Sequence, residues 1–166
     1  MAQESFHSVL HSTFGMLPVK GQELLFEHLE AFTRRREGHQ LLVVKGYAGT
    51  GKTSVLAAYV KALRHYKVKT FLMAPTGRAA KVFSQKAGQD AFTIHKLIYR
   101  RKSKIDLSAG LGLQPNLHMN AVFIVDESSM IADISLAKDG QISPRNILED
   151  VLEYVFSGQN FRLILM

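Results

Sequence analysis

The sequence contains no cysteine and no tryptophan, and only four prolines in 166 residues. Without cysteine there is no disulfide framework, no thiolate nucleophile and no thiolate metal site. The same absence suits a reducing compartment, so the expected location is cytoplasmic. Long apolar runs are also missing. Leu41–Val44, Val122–Val125 and Leu163–Met166 fall far short of the roughly 20 residues that cross a bilayer, and no membrane partner is expected. The N-terminal segment scatters Glu4, His7, His11 and Lys20 among apolar residues, which is not the pattern of a secretory leader. Internal repeats and low-complexity tracts are absent too. What is present is an ordinary globular composition, 46% hydrophobic and 21% charged, too apolar for a disordered tail. Lysine and arginine number 21 against 14 acidic residues, a net charge of +7. That excess suits a polyanionic partner as well as it suits a plain basic surface.

Hydrophobic spacing alternates between helix and strand periods. Leu25, Phe26, Leu29 and Phe32 predict an amphipathic helix over residues 22–36, closed by Arg34, Arg35, Arg36 and Gly38. Leu41–Val44 reads as a buried strand running to Gly46, after which Val55, Leu56, Tyr59, Val60 and Leu63 restore the helical period. Thr70–Ala74 is a second strand stopped by Pro75, with a helix over residues 78–85 beyond it. A short helix from Thr93, apolar at Ile94, Leu97 and Ile98, is expected to run into the basic cluster Arg100, Arg101, Lys102 and Lys104. Residues 103–118, carrying Gly110, Gly112, Pro115 and Asn116, read as a loop. Ala121–Val125 is a third strand, ending on Asp126 and Glu127. Ser143-Pro144 reads as the cap and first turn of a helix that buries Ile147, Leu148, Val151, Leu152, Val155 and Phe156 and stops at Gly158. Phe161–Leu165 is the last strand. This order predicts an α/β fold, a parallel sheet with helices on both faces. A helical lead-in over residues 1–38 is expected before a core over 39–166.

Residues Gly46 to Thr53, Gly-Tyr-Ala-Gly-Thr-Gly-Lys-Thr, match G-x-x-x-x-G-K-[ST] in full, between a strand and a helix as that pattern requires. Glycines at 46, 49 and 51 let backbone N–H groups turn inward around phosphate oxygens, and the following helix N-terminus adds partial positive charge. The expected nucleotide-binding set is Gly46, Ala48, Gly49, Thr50, Gly51, Lys52, Thr53 and Ser54, with ATP as ligand. Lys52 would bridge the β- and γ-phosphates and the Thr53 hydroxyl would sit on Mg²⁺. A carboxylate at the end of another buried strand should complete the site. Asp126 is expected at the metal and Glu127 at the attacking water, although the sequence leaves open how the two divide these roles. Their other reading is the solvated start of a helix capped by Asp126 or Ser128. The histidines His7, His11, His28, His39, His65 and His118 show no metal-ligand spacing with carboxylates.

Taken together, these segments resemble the first RecA-like core of a superfamily 1 DNA helicase, of the RecD type in the 5′-to-3′ branch. The likeness runs over residues 16–166. Ala74-Pro75-Thr76-Gly77-Arg78-Ala79-Ala80-Lys81 is similar to the Ia motif of that group, Thr93-Ile94-His95-Lys96-Leu97 to its next DNA-facing motif, and Val125-Asp126-Glu127-Ser128-Ser129-Met130 to its motif II. Gln22 stands where such helicases carry an adenine-reading glutamine; a surface glutamine with no ligand is its other reading. The resemblance implies a RecA-like P-loop domain that hydrolyses Mg·ATP to move along single-stranded DNA. It implies catalytic roles for Lys52, Asp126 and Glu127 and DNA contacts at Thr76, Arg78, Thr93 and His95. Charge from Arg78, Lys81, His95, Lys96, Arg100 and Arg101 fits a strand-binding surface, with Phe83, Phe92 and Tyr99 as candidate stacking rings. For Phe83 and Phe92 core packing is the expected outcome. The family continues into a Gly-Asp-x-x-Gln segment and a second RecA-like core with arginine fingers, whereas this sequence stops at Met166. The expectation is a fragment of a longer helicase whose partner is that second core, weak in hydrolysis alone. Two other readings stay open: a P-loop ATPase switch without helicase activity, and a non-catalytic platform for DNA or protein.

Overall fold

The computed structural model describes residues 4–35, 38–101, 111–131, 135–136, 142–143 and 146–166. Helices α1 (Phe6–Phe14) and α2 (Lys20–Arg34) precede β1 (Gln40–Val43). Next come α3 (Lys52–His65), β2 (Thr70–Ala74), α4 (Gly77–Ala87), β3 (Ala91–Thr93) and α5 (Ile94–Ile98). β4 (Tyr99–Arg101) and β5 (Leu111–Leu113) form an antiparallel pair, as do β7 (Ser135–Leu136) and β8 (Ile142–Ser143) beyond β6 (Val122–Val125). α6 (Ile147–Phe156) and β9 (Arg162–Leu165) follow.

The main sheet has five parallel strands in the order β1-β9-β6-β2-β3. Its central strands β6 and β9 are buried at every residue, because side chains alternate between faces and both faces are covered. Leu72, Val122, Ile124 and Ile164 turn toward α1, α2, α3 and α4, while Met73, Phe123, Val125, Leu163 and Leu165 turn toward α5 and α6. The predicted parallel sheet with helices on both faces is therefore the fold observed. Helices α1 and α2 share their buried cluster with α3 and the sheet.

Several elements depart from the sequence reading. α1 falls inside the expected helical lead-in, but its bounds are not legible because its two histidines interrupt the apolar residues; Val9, Leu10 and Phe14 lie on one buried face. The Ser5 side chain caps it by accepting from Ser8 N at 3.1 Å. α5 ends at Ile98, so Arg100 lies on a strand rather than a helix, and Lys102 and Lys104 lie outside the described residues. Leu111–Leu113, inside the expected loop, is extended because it pairs with β4. Ser143 belongs to β8 and Pro144 lies outside the described residues. The cap of α6 is Asn146, whose Oδ1 accepts from Leu148 N at 2.8 Å, a side chain as suited to that place as serine. Phe83 is fully buried, which takes it out of any stacking surface, and the hydroxyl of half-buried Tyr99 donates to Asp150.

One core contact yields a pH prediction. Tyr59 on α3 is fully buried, with its hydroxyl 2.8 Å from Thr33 Oγ1. Burial pushes its pKa from 10.0 up to about 12, against the opposing pulls of the Thr33 hydrogen bond and the Arg162 charge. Below pH ~10 both folded and unfolded chains keep the proton. Between pH ~10 and ~12 only the unfolded chain ionises, so stability falls as pH rises, by about 3 kcal/mol in all. Urea melts across that window should show the fall, and Tyr59→Phe should flatten it.

Candidate nucleotide site

Every candidate residue after β1 sits at the carboxyl end of a parallel strand, the edge where open α/β sheets bind ligands. The loop leaving β1 turns twice through left-handed backbone, at Gly49 (φ 79°) and Gly51 (φ 81°), conformations that favour glycine. α3 starts at Lys52 with no side-chain cap. The N–H groups of Lys52, Thr53 and Ser54, in its first turn, thus remain available to an anion. Lys52 folds back over the loop, its Nζ donating to the Gly46 carbonyl at 2.8 Å and the Tyr47 carbonyl at 2.9 Å. Thr50 Oγ1 also donates to Tyr47 O at 2.8 Å.

Across the edge, β6 delivers Asp126, only 3% exposed. Its amide donates to Met73 O on β2 at 3.0 Å, and its Oδ1 accepts from Glu127 N at 2.8 Å. The Thr53 side chain lines the same cleft as this carboxylate. Burial raises the Asp126 pKa and the Glu127 charge adds to the rise; the hydrogen bond from Glu127 N, the polar Thr53 side chain and the Lys86 charge oppose it. Glu127 itself is exposed and occupies left-handed backbone at φ 56°. These residues line a cleft of about 830 Å³ together with Ala48, Gly49, Lys52, Ser54 and Lys86. The Thr53 hydroxyl and the buried Asp126 carboxylate both face it beside the phosphate loop. Such a hard donor pair suits Mg²⁺ shared with phosphate oxygens.

A second cleft, about 550 Å³, separates the phosphate loop from α2 and is lined by Val19, Gln22, Leu25, His28, Tyr47 and Val55 among others. Gln22 reaches across it. Its Oε1 accepts from Val19 N at 3.1 Å, and its Nε2 donates to Thr50 O at 3.0 Å. A Cβ added to Gly51 would lie 2.7 Å from that Nε2, so glycine there serves the close approach as well as the turn. Gln22 is thus not a free surface glutamine: it ties α2 to the loop.

The DNA-side candidates gather on the far half of the same edge. β2 and β3 end in register, Ala74 opposite Thr93, and β3 stands four places from β1, about 19 Å at ordinary strand spacing. Thr76 Oγ1 caps α4, accepting from Ala79 N at 3.2 Å, and Thr93 Oγ1 caps α5, accepting from Lys96 N at 3.3 Å. A hydroxyl that accepts in this way keeps its own proton for a further acceptor. Arg78 and His95 are exposed beside them. Lys96 Nζ lies 4.9 Å from the centre of the Phe92 ring.

Two groups escaped the sequence reading. Lys86, a basic residue in the last turn of α4, carries no motif, yet it lines the same cleft as Asp126. The expectation that no histidine has a metal-type partner is also corrected: His7 and His11 each stand 3.0 Å from Glu23. That pairing joins two helices across a turn, which linear spacing does not display.

The parallel sheet, the glycine-turned loop at a helix start and the buried carboxylate on a neighbouring strand define a P-loop ATPase domain. Residues 25–139 match the AAA domain family, and the chain belongs to it. It is also similar to the ATP-dependent RecD2 DNA helicase of Deinococcus radiodurans, at 30% identity over 123 residues. That stretch is 70% of this chain and 16% of the helicase, a likeness to a RecD-like ATPase domain within a much longer protein. Among the described residues, no helix is long and apolar enough to cross a membrane.

Proposed function

We propose that the chain is the ATP-binding and ATP-hydrolysing motor domain of a cytoplasmic DNA helicase acting on single-stranded DNA. In this reading residues 39–166 are the RecA-like core, residues 1–38 its helical lead-in, and a second RecA-like core its partner. The observation that carries it is the cleft that Thr53 and the buried Asp126 line together beside the phosphate loop, on the sheet edge that also presents Thr76 and Thr93. Loop N–H groups and Lys52 hold the triphosphate, Lys52 exchanging the carbonyls of Gly46 and Tyr47 for phosphate oxygens. Thr53 and Asp126 hold Mg²⁺, which neutralises charge on the β- and γ-phosphates when bound. Glu127, exposed at the strand exit, orients the attacking water and accepts its proton. Gln22 offers its amide to adenine in the apolar cleft, and Thr76, Arg78, Thr93 and His95 contact the DNA backbone.

The test is a titration of fluorescent single-stranded and duplex oligonucleotides at several salt concentrations. Single strands are expected to bind tighter, with affinity falling steeply as salt rises. Arg78→Ala should weaken binding and reduce the salt slope by about 0.7, one phosphate contact on a single strand. Equal affinity for both forms, with ATP still bound, would overturn the helicase reading in favour of an ATPase switch.

A further inference from the structure

Away from the sheet edge, the first two helices hold a second polar cluster. His7 and His11 stand one turn apart on the same face of α1, and α2 sets Glu23 opposite them. The His7 and His11 Nε2 atoms each lie 3.0 Å from Glu23 Oε1 and 3.0 Å from one another. The three atoms thus form an equilateral triangle. Hydrogen bonding cannot satisfy it. An imidazole Nε2 carries at most one proton. If both carry one, two N–H groups confront each other across the N···N contact. If only one does, the other nitrogen's lone pair faces the carboxylate oxygen. While Glu23 is ionised, every placement of the ring protons sets like against like on one side of the triangle.

A cation removes the conflict, because all three lone pairs can point at it. With ordinary zinc-ligand bonds of about 2.0 to 2.2 Å, an ion equidistant from the three atoms sits about 1 Å out of their plane. The side chains are about one-third exposed, His7 34%, His11 35% and Glu23 35%, so solvent can fill a fourth position. Behind the triangle, Glu30 Oε2 lies 3.4 Å from His7 Nδ1, and Arg34 holds the other Glu30 oxygen at 2.9 Å. A carboxylate behind a ligating histidine fixes the tautomer that aims the Nε2 lone pair at the metal. The ring edges of His7 and His11 pack against buried Phe26, at centroid distances of 6.4 and 5.0 Å, which limits their rotation.

We infer that His7, His11 and Glu23 form a binding site for a divalent cation of the zinc type, clamping α1 to α2. Two imidazoles and one carboxylate favour Zn²⁺, Co²⁺, Ni²⁺ or Cu²⁺ over Mg²⁺ and Ca²⁺, which prefer all-oxygen shells. The site is separate from the nucleotide cleft and does not depend on the function proposed above. It is nevertheless adjacent to that cleft in sequence, since Glu23 follows Gln22.

The full chain, freed of metal with a chelator, should take up one equivalent of Zn²⁺ by calorimetry. Its melting midpoint should rise by about 5 to 10 °C once free Zn²⁺ exceeds Kd a hundredfold. Co²⁺ should give the visible absorption of a four-coordinate ion. His11→Gln and Glu23→Gln should each weaken Zn²⁺ binding by about 100-fold and abolish the cobalt bands, while His65→Ala leaves both unchanged. Because the cobalt spectrum reports the ligand shell directly, it decides the matter even if a variant is destabilised. No stoichiometric uptake at micromolar Zn²⁺, only six-coordinate cobalt, or undiminished Zn²⁺ affinity in a His7→Ala/His11→Ala protein would overturn the assignment.

Discussion

Replacing Lys52 by alanine is expected to raise the Kd for ATP by 10²- to 10⁴-fold. A charge-assisted hydrogen bond contributes about 1.5 to 3 kcal/mol, and a lysine bridging two phosphates makes two of them. The fold should survive, because the present partners of Lys52 Nζ are exposed loop carbonyls; its melting midpoint should move by no more than about 2 °C. Glu127→Gln should separate binding from chemistry. It keeps the shape of the side chain and should leave the ATP Kd within about twofold, while single-turnover hydrolysis falls by roughly 10²-fold or more, the ordinary loss with a general base. Titration with a fluorescent nucleotide, followed by a single-turnover assay, reads both. Unchanged ATP affinity in the lysine variant would remove the phosphate-loop assignment. Unchanged turnover in the glutamine variant would move the water-activating role to another group, with Asp126 the first candidate.

Phe123→Ala should have the largest effect on stability. Phe123 is fully buried on β6 and stacks on Phe71 at 4.8 Å, with Phe161 at 5.4 Å and Tyr154 at 5.9 Å meeting its ring edge to face. Removing a buried phenyl group costs about 3 to 5 kcal/mol, the lost transfer energy plus the cavity left behind. Domains of this kind are stable by only about 5 to 15 kcal/mol, so the melting midpoint should drop by about 10 °C or more. Urea melts of the wild type, Phe123→Ala and Phe123→Leu check this. The leucine variant should retain most of the stability, since it refills much of the volume. Equal losses in the two would show that the ring contacts, rather than the volume, hold the two layers together.

The residues that made the fold legible are those that repeat a simple period. Val122–Val125 and Arg162–Leu165 are buried throughout, and such runs mark strands covered on both faces before any contact is known. The phosphate loop was legible because its chemistry is confined to eight adjacent residues. What remained hidden depends on the fold bringing distant residues together. Lys86 shares a cleft with Asp126, forty residues further on, and β4 needs β5 to become a strand. The Ser143-Pro144 pair masks the helix-capping role of Asn146, although the short polar side chain of Asn146 is itself a cap signal. That the Gln22 amide also bridges α2 and the phosphate loop depends on the fold in the same way.

The backbone at Glu127 carries a further consequence. An L residue with a side chain pays a steric penalty of about 1 to 2 kcal/mol in left-handed backbone, and glycine pays almost none. Glu127 sits there at φ 56°, immediately after the fully buried strand β6. Its side chain thus costs the folded chain stability instead of adding to it. Selection for thermostability alone would carry this position to glycine, and a search for stabilised variants would find that substitution early. Such a search would have to exempt Glu127, since the gain in melting temperature would come with the loss of its exposed carboxylate at the strand exit.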